Sequence, residues 1–348
     1  MLTTSHIERV LAHYDLGDLQ QVTPAAEGNV NETAFIQTSY GRFVVRRNCQ
    51  HLNERAHQQR HALIAHLYEH NFPVPGLIPT CAGETLLHLD NQRYEVQLFI
   101  EGKDFNAEQP QQLTSVGATL AHYHNLVQGF AAPPRDTTPR YNPHGILSMT
   151  ERLMECDVMG DLWPSLAWYD ARASQLRTAL RQDVYGYLPH CLIHGDMHSG
   201  NLRFQGNEVA ALLDYDQVTW DARIVDLADA LVSFATDAGY ADQMMWGVFR
   251  GPLDEQRANR LIAAYVAVSP LSAQEIATLP KLIELIWLQG ELGRVASTLE
   301  GSVEYHLDVM GQGRWLSEWL RGRSDQLVER WSALNAAQGE PAAVPLAA

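Results

Sequence analysis

The sequence has few cysteines and few basic residues, and each shortage excludes a class of protein. Four cysteines occur in 348 residues, and none forms a CxxC pair, so neither a zinc ribbon nor a dense disulfide framework is predicted. Lysine and arginine number 25 against 41 acidic residues, which gives a formal charge of −16. Such a chain is a poor partner for nucleic acid or anionic membranes, because both are bound mainly through lysine and arginine.

Long apolar runs are also missing from the sequence. No segment approaches the roughly 18 consecutive apolar residues of a membrane-spanning helix, and no such stretch opens the chain. We therefore expect a cytoplasmic protein. Apolar residues nevertheless make up 46% of the 348 residues, which is enough to build the cores of two lobes.

The N-terminal part predicts mainly strands with one helix between them. Two segments rich in β-formers flank Ser39-Tyr40-Gly41, a hairpin signal with glycine at the turn, and a third segment alternates polar and apolar residues. The predicted strands are 33–38, 42–47 and 94–100, and the predicted helix is 53–70. This pattern indicates a small α+β lobe with an antiparallel sheet over residues 1–98.

The remainder of the chain predicts mainly helices. Apolar residues recur at helical spacing over 113–127 and 227–234, and residues 282–299 are apolar enough for a buried helix. We predict a larger, mainly helical lobe over residues 99–335, with a hinge at about 97–102. Residues 336–348 are rich in alanine, proline and glycine and predict a disordered tail.

The most informative segment is His194-Gly195-Asp196-Met197-His198-Ser199-Gly200-Asn201, which an apolar run connects to Asp214. A short buried strand precedes it, and the residues between Asn201 and Asp214 predict a hairpin that brings these two side chains together. Amide and carboxylate oxygens are donors that magnesium prefers. Asp196 can accept the proton of an attacking hydroxyl, so the segment predicts phosphoryl transfer.

Histidines offer alternatives at two places in the sequence. His194 and His198 can each act as the base instead of Asp196. We assign His194 to bracing the loop, and His198 is either a substrate contact or part of an exposed turn. His57 and His61 have the spacing of a metal clamp on the predicted helix, but no carboxylate or cysteine completes a ligand set. An exposed polar helix is therefore the expected arrangement there.

The motifs from His194 to Asn201 and at Leu213-Asp214 resemble those of the aminoglycoside phosphotransferase and choline kinase family. Residues 28–35, 54–75 and 269–280 resemble its homoserine kinase-like members, whereas the motif at 194–201 is nearer the pattern of the broader family. The resemblance covers residues 20–310 and implies the bilobal α+β fold of protein kinases. It also implies that Asp196 is the catalytic base and that Asn201 and Asp214 bind magnesium. Asp226 resembles the aspartate that braces the catalytic loop, or is simply a helix N-cap.

The same resemblance implies where the nucleotide binds. Gly28, Asn29 and Asn31 match the loop that covers the nucleotide, although a turn explains these residue types equally well. Gln97 and Phe99 match the hinge, where backbone groups recognise adenine. The alternative for this second segment is an ordinary core strand.

Charged residues complete the predicted site. Arg46 stands where the family places a phosphate-pairing lysine, and an arginine fork can bridge phosphate oxygens with a different reach. Glu54 is either the ion-pair partner of this cation or a surface residue. Asp216 and Asp221 are either contacts for a substrate ammonium group or solvated loop carboxylates.

The expected function is an ATP- and magnesium-dependent kinase, with ATP and Mg²⁺ as cofactors. Its substrate is a small molecule with a hydroxyl group, and homoserine or another amino alcohol is favoured. Neither nucleic acid nor a membrane is expected as a partner, and the sequence leaves the oligomeric state open. The rivals are a serine/threonine protein kinase of the same fold and a nucleotide-binding pseudokinase, which the arginine at position 46 suggests.

Overall fold

The computed structural model describes residues 2–25, 31–48, 54–130, 140–157, 159–236, 251–298 and 301–337. The chain divides into two compact units. The first comprises Met1–Asp104 and Asn201–Asp216, and the second comprises Phe105–Gly200 and Gln217–Ala348. No helix among the described residues is long and apolar enough to span a bilayer.

The elements up to residue 98 alternate between strands and helices. They are α1 Thr4–Leu11, β1 Leu19–Pro24, β2 Glu32–Thr38, β3 Gly41–Asn48, α2 Glu54–Glu69, β4 Leu77–Ile78, β5 Leu87–Leu89 and β6 Gln92–Leu98. The strands form one antiparallel sheet in the order β1-β2-β3-β6-β4, with β5 also paired to β6.

The elements that follow are mainly helical. They are α3 Pro110–Val127, α4 Pro143–Cys156, α5 Trp163–Ala179, α6 Gln182–Tyr185, β7 His190–Ile193, β8 Leu202–Gln205, β9 Glu208–Leu212, β10 Thr219–Ala222, α7 Ile224–Phe234, α8 Glu255–Val268, α9 Ala273–Ser297, α10 Val303–Arg321 and α11 Ser324–Ala337. Short 3₁₀ turns occupy Ser199–Asn201 and Tyr215–Gln217.

The sheet of the first unit follows from the sequence pattern. Strands β2 and β3 pair in register from Glu32↔Arg47 to Thr38↔Gly41, so the predicted hairpin is present. Alternate residues such as Ile36, Val45 and Val96 are buried against one core, because successive side chains of a strand point to opposite faces. The α+β prediction, with an antiparallel sheet at the N-terminal end and mainly helices after it, is confirmed.

Helix α2 differs from the exposed polar helix that the sequence predicted. His57 and His61 are only 1% and 6% exposed. Apolar side chains at Leu63, Ile64 and Leu67 are buried in the same helix. His61 has a charged partner in the sheet, since its Nε2 lies 3.0 Å from Oε2 of Glu95.

The hairpin of β8 and β9 belongs to the first unit, although chain order had placed it in the second lobe. Its strands pair from Leu202↔Leu212 to Gln205↔Glu208. Phe204 forms an antiparallel β-bridge with Lys103, and the Leu212 N–H donates to the carbonyl of Pro73 at 2.7 Å. Sequence reading follows chain order and therefore cannot see that the hairpin packs with residues more than 100 positions earlier.

The second unit is built mainly from helices, and one of them, α9, is largely buried. Helix α9 carries buried residues along most of its length, including Trp287 at 0% exposure, as the apolar sequence predicted. The other predicted helices are present as α3 and α7. Helix α11 continues to Ala337, so the predicted tail begins in a helix and its residues 338–348 lie outside the described part of the chain.

The packing of α3 on α8 requires a glycine. A Cβ at Gly117 would lie 2.4 Å from the backbone carbonyl oxygen of Leu261 and 3.0 Å from Cβ of Ala264. Gly117→Ala should therefore push the helices apart and destabilise the protein by about 1–3 kcal/mol. The change should appear as a lower melting temperature in calorimetry.

Gly293→Ala is the matched control for this prediction. Gly293 is inside helix α9, and no described atom lies within 4 Å of a Cβ placed there. Alanine should raise the stability slightly at this position because it is the better helix former. Equal melting temperatures for the Gly117 and Gly293 variants would contradict the steric account.

The buried imidazole of His57 makes a prediction about pH. Burial, followed by the charges of Arg60 and Arg93, lowers the pKa of His57 from 6.5 to about 4. The unfolded chain therefore takes up this proton at a higher pH than the folded one. The stability linked to the neutral ring is complete above pH 6.5 and is lost as the pH falls toward 4.

His57→Leu should make the melting temperature less dependent on pH between 6.5 and 4. His122 on α3 is exposed, so His122→Leu should leave the wild-type dependence intact. Melting curves of the three proteins at a series of pH values measure the difference. The same slope in wild type and His57→Leu would show that this imidazole does not titrate as described.

Candidate active site

The loop that carries Asp196 lies in the second unit between β7 and the 3₁₀ turn at Ser199–Asn201. Strand β7 pairs with β10 in antiparallel register, which fixes where the loop begins. Gly195 has a φ of 77°, and a Cβ there would lie 2.4 Å from the Gln217 carbonyl oxygen. Only glycine fits this close approach.

Two buried carboxylates on α7 hold the backbone of this loop. Asp226 accepts hydrogen bonds from the N–H groups of His194 at 2.7 Å and Gly195 at 2.8 Å. Asp229 accepts from the Met197 N–H at 3.0 Å. His194 is fully buried and contributes this backbone contact. The loop is therefore fixed by charge-assisted hydrogen bonds, which are stronger than neutral ones.

Further groups surround these two carboxylates. Nε2 of His124 lies 3.2 Å from Oδ2 of Asp226, and the Tyr141 hydroxyl donates to Oδ1 of Asp229 at 3.0 Å. Burial raises the pKa of Asp229 to about 6, while the charge of Arg140 opposes the increase. The brace thus extends from α7 to α3 and to the segment before α4.

Asp196 itself contacts two basic side chains. Nη1 of Arg140 donates to its Oδ1 at 2.8 Å, and Nε2 of His198 lies 3.5 Å from its Oδ2. Burial raises the pKa of Asp196, but His198 and Arg140 outweigh this and lower the pKa to about 2. Asp196 is therefore ionised near neutral pH, and His198 is placed beside it rather than in a fully exposed turn.

In the first unit, the hairpin brings Asn201 and Asp214 side by side. The Leu213 N–H donates to the Asn201 carbonyl at 2.8 Å, directly before Asp214. Asp214 has a φ of 59°, a left-handed conformation that aspartate tolerates better than most residues. Its side chain is 44% exposed. The arrangement thus presents a carboxylate at the end of a strand.

These two residues have the donor chemistry of a magnesium site. An amide oxygen and a carboxylate oxygen are hard donors, and magnesium completes its shell with water and phosphate oxygens. Oδ1 of Asp214 also accepts from Nη2 of Arg46 at 3.1 Å. An amide and a carboxylate that the hairpin brings together suit a hard divalent cation by their donor chemistry, and Arg46 occupies one of the carboxylate oxygens.

Arg46 belongs to a group of four charged side chains that contact one another, which we call the ion cluster: Arg46, Arg60, Glu95 and Asp216. Arg46 lies opposite Glu95 in the β3–β6 register, with Nη1 3.5 Å from Oε1. Its Nη2 lies 2.8 Å from Oδ2 of Asp216. Arg60 on α2 pairs with both Glu95 and Asp216. Each cation thus contacts both anions.

Glu95 is the most deeply buried member of the ion cluster, with 0% exposure. Besides the arginines, its carboxylate accepts hydrogen bonds from the side-chain amides of Asn48 at 3.1 Å and Gln97 at 2.9 Å, and Nε2 of His61 lies 3.0 Å away. Burial raises its pKa, but Arg60, His61 and Arg46 together hold that pKa well below the usual range. A buried charge is tolerated only with such compensation.

The structure distinguishes the alternatives for Glu54 and shows where Asp216 and Asp221 lie. Glu54 has a side chain that is 53% exposed and lies 3.7 Å from Nε2 of His88, so Glu95 rather than Glu54 pairs with Arg46. Asp216 is held by two arginines and is not a solvated carboxylate. Asp221 is 1% exposed and accepts from the Tyr185 hydroxyl at 2.6 Å, because it lies in β10 and not in a loop.

Some of the residues predicted to bind the nucleotide lie within the described part of the chain. Gly28 and Asn29 lie outside the described residues. Asn31 donates its side-chain amide to Asp216. Gln97 lies within β6, opposite residues of both β3 and β4, and the Phe99 N–H donates to the Arg42 carbonyl at 3.3 Å. This N–H is therefore used inside the first unit, and adenine recognition by backbone groups of Gln97 and Phe99 stays a prediction.

Sequence reasoning missed Glu95, Arg60, Arg140 and Asp229. Glu95 and Arg60 stood in ordinary strand and helix patterns, which carry no sign that both are buried. Arg140 lies between regular elements and had no local signal. For Asp229 a signal existed, since it follows Asp226 by three residues, and residues three apart share one face of a helix.

The chain matches the sequence profile of the phosphotransferase enzyme family (APH) over residues 21–271, and it belongs to this family. This confirms the family resemblance and the prediction of an enzyme that is a phosphotransferase. Among curated proteins, the homoserine kinase of Pseudomonas aeruginosa (strain UCBPP-PA14) is 28% identical over 299 residues, which cover 84% of this chain and 86% of that protein.

Solved structures of kinases share the fold. The amicoumacin kinase hAmiN, in complex with AMP-PNP, Ca²⁺ and Ami, has a TM-score of 0.64 and 14% identity, covering 93% of this chain and 94% of its own. A microcompartment-associated aminopropanol kinase has a TM-score of 0.57 and 15% identity, covering 96% and 99%. The fold is thus kinase-like, as predicted.

The ion cluster predicts a large stability difference between two glutamates. Glu95→Gln removes the anion that compensates two buried arginines and should destabilise the protein by about 3 kcal/mol or more. Glu101 pairs with Arg42 while remaining 69% exposed, so Glu101→Gln should cost less than about 1 kcal/mol. Urea unfolding of both variants measures the free energies. Similar losses for the two variants would show that the cluster does not depend on Glu95.

Proposed function

We propose that this phosphotransferase is a kinase that uses ATP and Mg²⁺ to phosphorylate the hydroxyl group of homoserine. The observation that carries the proposal is the hairpin that sets Asn201 beside Asp214, with Asp196 only five residues before Asn201 in the chain. Phosphoryl transfer needs a metal site and a group that orients the attacking hydroxyl. The proposal assigns these two tasks to neighbouring parts of one segment.

Asp196 takes the role of catalytic base. It accepts the proton of the substrate hydroxyl while that oxygen forms a bond to the γ-phosphorus and the bond from this phosphorus to ADP breaks. The lowered pKa keeps Asp196 ionised near neutral pH, so it is ready to orient the hydroxyl. The hydrogen bonds from the loop to Asp226 and Asp229 hold the backbone around it.

Asn201 and Asp214 hold Mg²⁺, which neutralises phosphate charge when it is bound. Arg46 takes the role of the family lysine and pairs with phosphate oxygens. Its Nη2 is 3.1 Å from Oδ1 of Asp214, so the guanidinium is beside the proposed metal ligand. Glu95 and Asp216 fix its orientation, and a guanidinium can contact phosphate oxygens through its planar fork of donors. Arginine at this position is therefore compatible with activity.

Homoserine is favoured by the curated relatives. The Pseudomonas aeruginosa homoserine kinase aligns over 86% of its length, and a homoserine kinase of Methylobacillus flagellatus is 24% identical over 300 residues. An ATP analogue is bound by the structurally similar amicoumacin kinase, which supports ATP as the donor. A formal charge of −16 also fits a small substrate better than a nucleic acid.

The test is a kinase assay with ATP, Mg²⁺ and a panel of hydroxyl compounds. The panel contains L-homoserine, L-serine, L-threonine, choline, ethanolamine, 3-aminopropan-1-ol and kanamycin, and mass spectrometry identifies each product. Homoserine should be the best acceptor, and EDTA should stop turnover. Asp196→Asn should lower kcat by about 10²–10⁴-fold, because a general base contributes about that factor, while ATP should still raise the melting temperature.

Asp183→Asn is the control for this substitution, because Asp183 is exposed and pairs with Arg181 on the surface. It should retain full activity. Substantial turnover by Asp196→Asn would overturn the assignment of the base. Phosphate incorporation into protein but into no metabolite would indicate a protein kinase, and ATP-induced stabilisation without any ATP consumption would indicate a pseudokinase.

A further inference from the structure

Arg140 is a cation that the proposed chemistry does not use, although it contacts the loop of Asp196. It lies directly before α4 in the second unit. Its Nη1 donates to the carbonyl of Gly195 and to Oδ1 of Asp196, the latter at 2.8 Å. The guanidinium is therefore anchored at one nitrogen beside the proposed base.

The backbone around Arg140 is tied to two helices. The side-chain amide of Gln289 on α9 donates to the Arg140 carbonyl at 2.8 Å, and its oxygen accepts from the Asn142 N–H at 3.1 Å. The neighbouring Tyr141 donates to Asp229 on α7 at 3.0 Å. A cation held in this way loses little conformational entropy when it binds a ligand.

The other edge of the guanidinium is open. The side chain of Arg140 is 29% exposed, whereas that of Asp196 is 7% exposed. Within the part of the chain that the structure describes, no acceptor hydrogen-bonds to Nε or Nη2 of Arg140. An arginine presents a planar fork of donors that matches the two oxygens of a carboxylate.

The charge of Arg140 offsets the buried carboxylates of Asp229 and Asp196, but both of its bonds to the loop come from one nitrogen. The charge of Arg140 helps to lower the pKa of Asp196 to about 2, and a base with such a low pKa is weaker. A neutral donor would hold the carboxylate without this cost. The positive charge is explained if a negatively charged group of the substrate binds next to the base.

We infer that Arg140 binds the carboxylate of an amino-acid acceptor while Asp196 orients the hydroxyl of the same molecule. The inference rests on the proposed function and names what the acceptor site recognises. In homoserine the carboxylate and the hydroxyl are separated by about 5 Å when the chain is extended. One molecule can therefore reach the open edge of Arg140 and the carboxylate of Asp196 together.

This inference predicts selection against amino alcohols, which lack the carboxylate. Removing the carboxylate from homoserine gives 3-aminopropan-1-ol, from serine it gives ethanolamine, and from threonine it gives 1-aminopropan-2-ol. Each pair differs by one charged group and shares the hydroxyl. The ratio of kcat/KM for the amino acid to kcat/KM for its amine therefore isolates carboxylate recognition from any general effect on catalysis.

The experiment measures this ratio in wild type, Arg140→Gln, Arg140→Lys and Arg152→Gln. Arg140→Gln should lower the ratio by about 10- to 100-fold, as expected for loss of a charge-assisted bidentate contact. Arg140→Lys should lower it less, because the charge is kept and the fork is lost. Arg152 is exposed on α4, the helix that follows Arg140 in the chain, so Arg152→Gln should match wild type.

Binding gives a second readout that does not depend on turnover. In the presence of a non-hydrolysable ATP analogue and Mg²⁺, the amino acid that serves as acceptor should raise the melting temperature of wild type and Arg152→Gln. The shift should be lost in Arg140→Gln. The melting temperatures without ligand show whether each variant is folded, and Arg140→Lys provides the test if the glutamine variant is not.

An equal loss for both members of each pair would overturn the inference, because Arg140 would then act only on Asp196 or on phosphate. A wild type that phosphorylates amino alcohols but no amino acid would overturn both this inference and the homoserine assignment. Phosphorylation of serine or threonine instead of homoserine, with the ratio lowered in Arg140→Gln, would overturn homoserine alone and support carboxylate recognition.

Discussion

The buried carboxylate of Glu95 is the constraint on which the first unit depends. A charge with no exposure must be compensated, and two arginines, a histidine and two amides do so. The same arginines also contact Asp216. The ion cluster therefore joins the sheet, helix α2 and the segment that follows the β8–β9 hairpin. One compensated charge thereby fixes the guanidinium that we assign to phosphate.

The second unit also contains buried carboxylates, and different groups compensate their charge. Asp226 and Asp229 are buried on one face of α7 and accept the N–H groups of the loop that carries Asp196. These carboxylates are compensated by backbone donors, and Arg140 adds a charge that is only partly covered. The loop is thus held by several hydrogen bonds, and the side chain of the neighbouring Arg140 is partly exposed.

Local patterns allowed much of this to be predicted. The hairpin between Asn201 and Asp214 follows from two short apolar strands and a glycine turn, all within fourteen residues of sequence. The sequence indicates less where the partner is distant in the chain. It leaves open whether Glu54 pairs with Arg46 or lies at the surface, and the carboxylate that pairs comes from Glu95 on the adjacent strand. Asp221 was taken for a loop residue because four-residue strands such as β10 carry little signal.

Local patterns were enough to predict the family, the antiparallel sheet followed by helices, and the hairpin between Asn201 and Asp214. These depend on periodicity and on short spacings, which chain connectivity largely enforces. Which charges meet depends instead on how the chain packs in three dimensions. Arg60 and Asp216 are 156 residues apart in the chain, and Arg140 and Asp196 are 56 apart. Such pairs form because packing brings the two residues together. A buried charge is costly unless an opposite charge or hydrogen bonds compensate it.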